Sequence, residues 1–93
     1  MNTHLLKCEA KFFDALAEGT KTFEIRLNDR DYHVDDELVL TRSRQGVIEI
    51  GAKTLHFKVT FVLTGWGLQD GYVALGIKQL RPSREIDNES EEK

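Results

Sequence analysis

The sequence predicts a small, mostly β (α+β) fold: a β-barrel of five to six strands with one helix near the N-terminus. Three observations carry this. Period-two alternation of apolar and polar residues recurs along the chain and is longest over residues 53–64. Helical spacing occurs in one early stretch, residues 9–18. Glycine, asparagine and aspartate separate the runs at turn-like intervals. Many short strands beside a single helix favour a curved, mostly antiparallel sheet that closes on itself.

In chain order, residues 3–8 read as a short strand. Residues 9–18 read as a helix, with Phe13, Leu16 and Ala17 at helical spacing and Phe12 beside them. Gly19 stands where a left-handed C-terminal cap belongs. Period two then runs over 20–27, followed by a polar loop over 28–36 rich in turn formers. Residues 37–42 predict a strand and 47–50 a short one. Over 53–64, Leu55, Phe57, Val59, Phe61 and Leu63 are predicted to share the buried face. A glycine-rich loop spans 65–71. The last strand, 72–78, turns Val73, Leu75 and Ile77 inward, and Pro82 marks the end of the ordered body.

A chain of 93 residues makes one domain, with most apolar side chains needed for its core. The net charge of -3 is uneven. Residues 85–93 hold five acids against one base, which leaves 11 acids and 12 bases in the rest. The expected organisation is therefore a balanced domain over 1–82 and an acidic, disordered tail over 83–93. The single cysteine, Cys8, rules out an internal disulfide and argues against a cysteine-based zinc site. No apolar run approaches the roughly 20 residues of a membrane helix. The expectation is a cytoplasmic protein without membrane, metal or cofactor.

The segment Gly19-Thr20-Lys21-Thr22-Phe23-Glu24-Ile25-Arg26 is the densest in chemistry. Alternation puts Lys21, Phe23, Ile25 and Leu27 on one face and Thr20, Thr22, Glu24 and Arg26 on the other. Glu24 and Arg26 then project side by side, roughly 7 Å apart along the strand. Arginine offers a planar fork of donors and glutamate offers acceptors, a pair that can meet a base edge or a phosphate beside an amino group. Lys21 joins them only if the strand starts after it or a bulge re-aims it. From pattern alone, the commoner outcome is a solvated surface pair worth about 0–1 kcal/mol.

The octapeptide resembles in full the G-x-K-x-x-E-x-R signature of the ASCH (activating signal cointegrator homology) domains, at Gly19, Lys21, Glu24 and Arg26. Val34-Asp35-Asp36-Glu37-Leu38 resembles that family's VGD-x-L segment, with Asp35 in place of the glycine. Gly71 to Ile77 is similar to the closing strand of a compact bacterial and phage branch of unknown function. The resemblance covers residues 3–80. It implies a PUA-like β-barrel whose motif lines a cleft for RNA, a nucleotide or a modified nucleoside. Lys21 and Arg26 would contact anionic or carbonyl groups, and Glu24 would accept from base amino groups.

Some compact members of the family are amidohydrolases that deacylate N4-acetylcytidine. They use the motif lysine, a threonine in place of the motif glutamate, and a later glutamate on an inserted helix. Lys21 matches, Glu24 stands at the threonine position, and no glutamate lies between Glu49 and Glu85. The resemblance thus implies recognition first. Amidohydrolysis, with Lys21 and Glu24 as catalytic residues, is the alternative.

Two further residues are candidates for the ligand site. Trp66, between two glycines, would either stack on a base or plug one end of the barrel, packing being the commoner role. Arg30 would add a phosphate contact at the rim, although Asn28-Asp29-Arg30-Asp31 also reads as an ordinary turn. The spacing of Asp31, His33, Asp35 and Asp36 fits no established zinc or calcium loop.

Overall fold

The computed structural model describes residues 1–80. Pro82 and the acidic tail lie outside the described residues. The elements are β1 (Thr3–Glu9), α1 (Ala10–Glu18), β2 (Phe23–Leu27), β3 (Glu37–Arg44), β4 (Val47–Ile48), β5 (Thr54–Leu63) and β6 (Tyr72–Gln79). They form one sheet in the order β1-β3-β5-β6-β2, with β4 paired to β3. The β1–β3 pair is parallel and the others are antiparallel. The sheet curls into a half-barrel, and its two terminal strands, β1 and β2, face each other across a gap that no backbone ladder closes.

Alternating residues of β1, β3, β5 and β6 fill the concave side, among them Leu6, Leu38, Leu40, Val59, Val73 and Leu75. Helix α1 adds Phe13 and Leu16. It starts on Glu9 without a side-chain cap and ends at Gly19, whose φ of 85° is open to glycine without Cβ strain. Its neighbour Phe12 lies about 100° round the helix from Phe13 and stays exposed.

A buried polar hub ties the N-terminus to the loop before β3. His4 Nε2 lies 2.8 Å from Asp36 Oδ2, and Asp36 also accepts from the backbone N–H groups of Asn2 and His33, each at 3.0 Å. Burial pushes the Asp36 carboxyl up, but these hydrogen bonds outweigh it and hold it down at about 2. One member of the aspartate–histidine cluster weighed for metal binding is therefore committed to the fold.

Two predicted faces are corrected. In β5 the register slips between Val59 and Phe61, so the alternation changes phase at Thr60. Phe61, expected inside, turns outward, and Val62 packs against the core instead. Gly76 permits this crossing: a Cβ there would meet Thr60 Oγ1 at 3.1 Å and the Phe61 Cβ at 3.3 Å. In β2 the apolar residues Phe23, Ile25 and Leu27 are exposed, while Glu24 is only 4% exposed. Its polar side faces inward because it borders the gap between β1 and β2. There, unpaired edge carbonyls need donors and a fully apolar filling would leave them unsatisfied.

Candidate ligand cleft

The gap between β1 and β2 is a cleft of about 460 Å³. Lys7, Cys8 and Glu9 of β1 form one side, with Phe12 of α1 above them. Lys21 and the residues of β2 form the other side, and Tyr72 of β6 lies at the far end.

Lys21 reaches the cleft because it is not part of the strand. The left-handed turn at Gly19 lets the backbone N–H groups of Thr20 and Lys21 donate to Ala15 O, at 3.0 and 3.2 Å. This closing turn of the helix delays β2 until Phe23. Freed from the strand period, Lys21 Nζ donates to Glu24 Oε1 and to the carbonyl of Phe23, each at 2.6 Å. The rings of Phe12 and Phe23 flank the ammonium, with centroids at 5.2 and 4.8 Å.

The other oxygen of Glu24 receives Arg26. Its Nε donates to Oε2 at 3.0 Å, and its Nη2 lies 2.9 Å from the same oxygen. Nη2 also donates to Lys7 O at 2.7 Å and so bridges the two sheet edges. Glu24 therefore holds both cations from beneath, with both of its oxygens engaged. Two of the three Lys21 donors are used. Among the described residues, Arg26 Nη1 has no hydrogen-bond partner.

Cys8 is buried at the cleft wall. Burial, aided by the Glu24 charge, pushes its thiol up to about 11, which suits a core residue and not a nucleophile. Glu9 accepts the backbone N–H groups of Gly46 and Gln45 at 2.9 and 3.0 Å, and these bonds hold its carboxyl below the usual range. It secures the β3–β4 turn.

The sequence-predicted residues divide. Lys21, Glu24 and Arg26 come together. Arg30 lies next door, where its Nη1 points at Leu5 O from 3.4 Å in a side hollow shared with Arg26 and Leu27. Trp66 is 92% exposed and reaches neither the cleft nor the core. Three successive positive φ angles, at Gly65, Trp66 and Gly67, project the ring off the β5–β6 turn into solvent. Phe12 and Lys7 were missed as cleft residues. The available signal was the Phe12-Phe13 pair, since two consecutive residues cannot both face one core from a helix.

Arg42 and Arg44 are tied to Asp14 and Glu49 at 2.7–3.1 Å, away from the cleft. Among the described residues no cluster of three His, Cys, Asp or Glu side chains could hold a metal. Among the described residues no helix is long and apolar enough to cross a membrane.

A curled half-barrel with a charged cleft between its free edges is the class of protein seen here. The chain belongs to the family described as a domain of unknown function (DUF3850), which matches residues 3–77. It is also similar to an uncharacterised 12.9 kDa protein encoded in the 3′ region of GpA in Escherichia phage P2. The two are 39% identical over 74 residues, covering 77% of this chain and 64% of the phage protein. This chain thus spans less than two thirds of that relative's length.

Proposed function

We propose that the cleft recognises RNA, a nucleotide or a modified nucleoside. The observation that carries this reading is the placement of Lys21 and Arg26 on one buried carboxylate inside an aromatic-edged cleft. A volume of about 460 Å³ falls within the range of small-ligand sites, roughly 300–1,000 Å³. Phe12, Phe23 and Tyr72 offer ring surfaces to a flat base. The third Lys21 donor and Arg26 Nη1 supply hydrogen bonds to a phosphate or carbonyl oxygen. Glu24, with both oxygens engaged, acts in this reading as the residue that positions the cations. The resemblance to ASCH domains supports the same ligand class.

Amidohydrolysis of acylated nucleosides is the competing reading. It requires Lys21 or Glu24 to accept a proton, and both groups already serve one another. Incubation with N4-acetylcytidine followed by chromatography separates the two readings, since turnover would establish the hydrolase.

The test of recognition is fluorescence anisotropy with a labelled single-stranded RNA, using wild type and a Lys21→Ala/Arg26→Ala variant whose fold is checked by circular dichroism. The wild type is expected to bind more weakly as salt rises. The double variant is expected to lose about tenfold or more and to flatten the salt slope by up to about 1.4. Equal binding by a folded double variant would overturn the proposal.

A further inference from the structure

A smaller hollow of about 170 Å³ adjoins the cleft, lined by Leu6, Arg26, Leu27, Asp29, Arg30 and Tyr32. Arg26 and Leu27 also line the cleft, so they form the partition between the two spaces. The hollow lies below the roughly 300 Å³ at which small-ligand sites begin, and a second base would not fit it. A tetrahedral oxyanion would.

The polar lining of the hollow is rich in donors that the fold leaves idle. Tyr32 is only 5% exposed, yet its hydroxyl has no hydrogen-bond partner among the described residues. Buried side-chain polar atoms nearly always have one. The Tyr32 ring rests against His4, with centroids 4.8 Å apart, and the charges that act on its hydroxyl are those of Arg26, Asp29, Arg30 and Glu24. The hydroxyl therefore lies among the charged groups of the hollow. Burial pushes the phenol up, so it keeps its proton at neutral pH and can donate it to a hydrogen bond. Arg26 Nη1 is unpaired among the described residues. Arg30 makes only long contacts, 3.4 Å to Leu5 O and 4.0 Å to Asp29 Oδ1. Donors from three residues thus border one small space. Asp29, the carboxylate beside them, has a side chain 65% exposed that can turn toward water.

We infer that the hollow is a phosphate subsite of the cleft, and that the ligand is a nucleotide unit, not a bare nucleoside. The inference rests on the cleft reading. A base lying on the aromatic edges of the cleft brings its sugar to the Arg26 partition, and the phosphate on that sugar enters the hollow. There Arg26 Nη1, the Arg30 guanidinium and the Tyr32 hydroxyl each donate to a phosphate oxygen, two of the three as charge-assisted bonds. A neutral nucleoside leaves all three donors idle. The phosphate of a free nucleotide and that of an RNA strand offer the same oxygens, and the probes below separate them.

Dissociation constants of the full chain, from ¹⁵N NMR titration, test it. The probes are the four ribonucleosides, their 5′- and 3′-monophosphates, and a trinucleotide RNA with hydroxyls at both ends. At least one phosphate-bearing form is expected to bind about tenfold or more tighter than its nucleoside. A gain confined to the monophosphates identifies a free nucleotide, and one confined to the trinucleotide identifies a strand. Arg30→Ala and Tyr32→Phe are each expected to cut the gain about threefold or more, and the double variant to abolish it. Tyr32→Phe should melt at the wild-type temperature, since its hydroxyl bonds to nothing in the fold. Nucleosides that bind as tightly as their phosphates would overturn the inference and leave the cleft reading standing. So would a gain that survives in the double variant, or a Tyr32→Phe protein that is destabilised and weakened equally toward nucleosides and nucleotides. No saturable binding by any probe would overturn the inference and the cleft reading together.

Discussion

Replacing Glu24 with glutamine removes one charge and almost no volume, so it isolates what the carboxylate does for Lys21 and Arg26. In the wild type one oxygen lies 2.6 Å from Lys21 Nζ and the other 2.9 Å from Arg26 Nη2. Breaking a fully buried ion pair costs about 3–5 kcal/mol. Here the carboxylate is buried, but the two cations are partly exposed and can turn toward water. That discounts the cost to about 2 kcal/mol. The glutamine oxygen can still accept from one cation, while its amide N–H groups face the other. For a domain of this size about 2 kcal/mol corresponds to a fall in Tm of roughly 8–16 °C. Urea denaturation and thermal unfolding measure it directly. A double-mutant cycle with Lys21→Met adds the decisive number, since the pair should show a coupling of about 1 kcal/mol or more. A loss below about 0.5 kcal/mol with no coupling would refute the view that Glu24 organises the cleft.

Other outcomes follow from the fold. Asp36 titrates at about 2 in the folded protein against an ordinary 3.8, so its contribution is full above the ordinary value and disappears as pH falls through about 2. Urea midpoints are expected to drop by the equivalent of about 1–2 kcal/mol between about pH 5 and pH 2, and Asp36→Asn should remove that part of the dependence. Gly76→Ala is expected to cost about 1–3 kcal/mol in urea denaturation, because the added Cβ presses on Thr60 and Phe61 at the bulge. An unchanged midpoint would show that the bulge gives way freely. The Cys8 thiol, buried and pushed up to about 11, should ignore an aromatic disulfide reagent at about pH 8 and react only when urea unfolds the chain. Rapid labelling of the native protein would contradict its placement.

Much of the fold is legible in the residues. The single helix closes at Gly19 as its spacing and cap indicate. The strands fall where period two places them, with β2 starting later than its alternation and β4 shorter than 47–50. Alternation names two faces but not which one is inside. For Glu24-Ile25-Arg26 that choice depends on a neighbour distant in sequence, the free edge of β1, whose Lys7 carbonyl takes the Arg26 donor. The same limit applies to Phe61, since a one-residue slip in β5 leaves the hydrophobic pattern intact while reversing every face after it. Gly76 was the only local sign of it. Trp66 was misplaced because a tryptophan's bulk argues for packing, whereas three left-handed turn residues decide where it points. Lys21 illustrates the opposite case. Its position depended on where β2 began, and the helix-closing bonds to Ala15 O settle that locally.

The claim that the cleft is the ligand site is tested most directly by two-dimensional ¹H–¹⁵N NMR titration of the wild type with single-stranded RNA and with nucleoside monophosphates. The account predicts saturable shift changes confined to Leu5–Phe12, Lys21–Tyr32 and Tyr72, lost in the Lys21→Ala/Arg26→Ala variant. Saturable changes elsewhere, or none with any of these ligands, would contradict it.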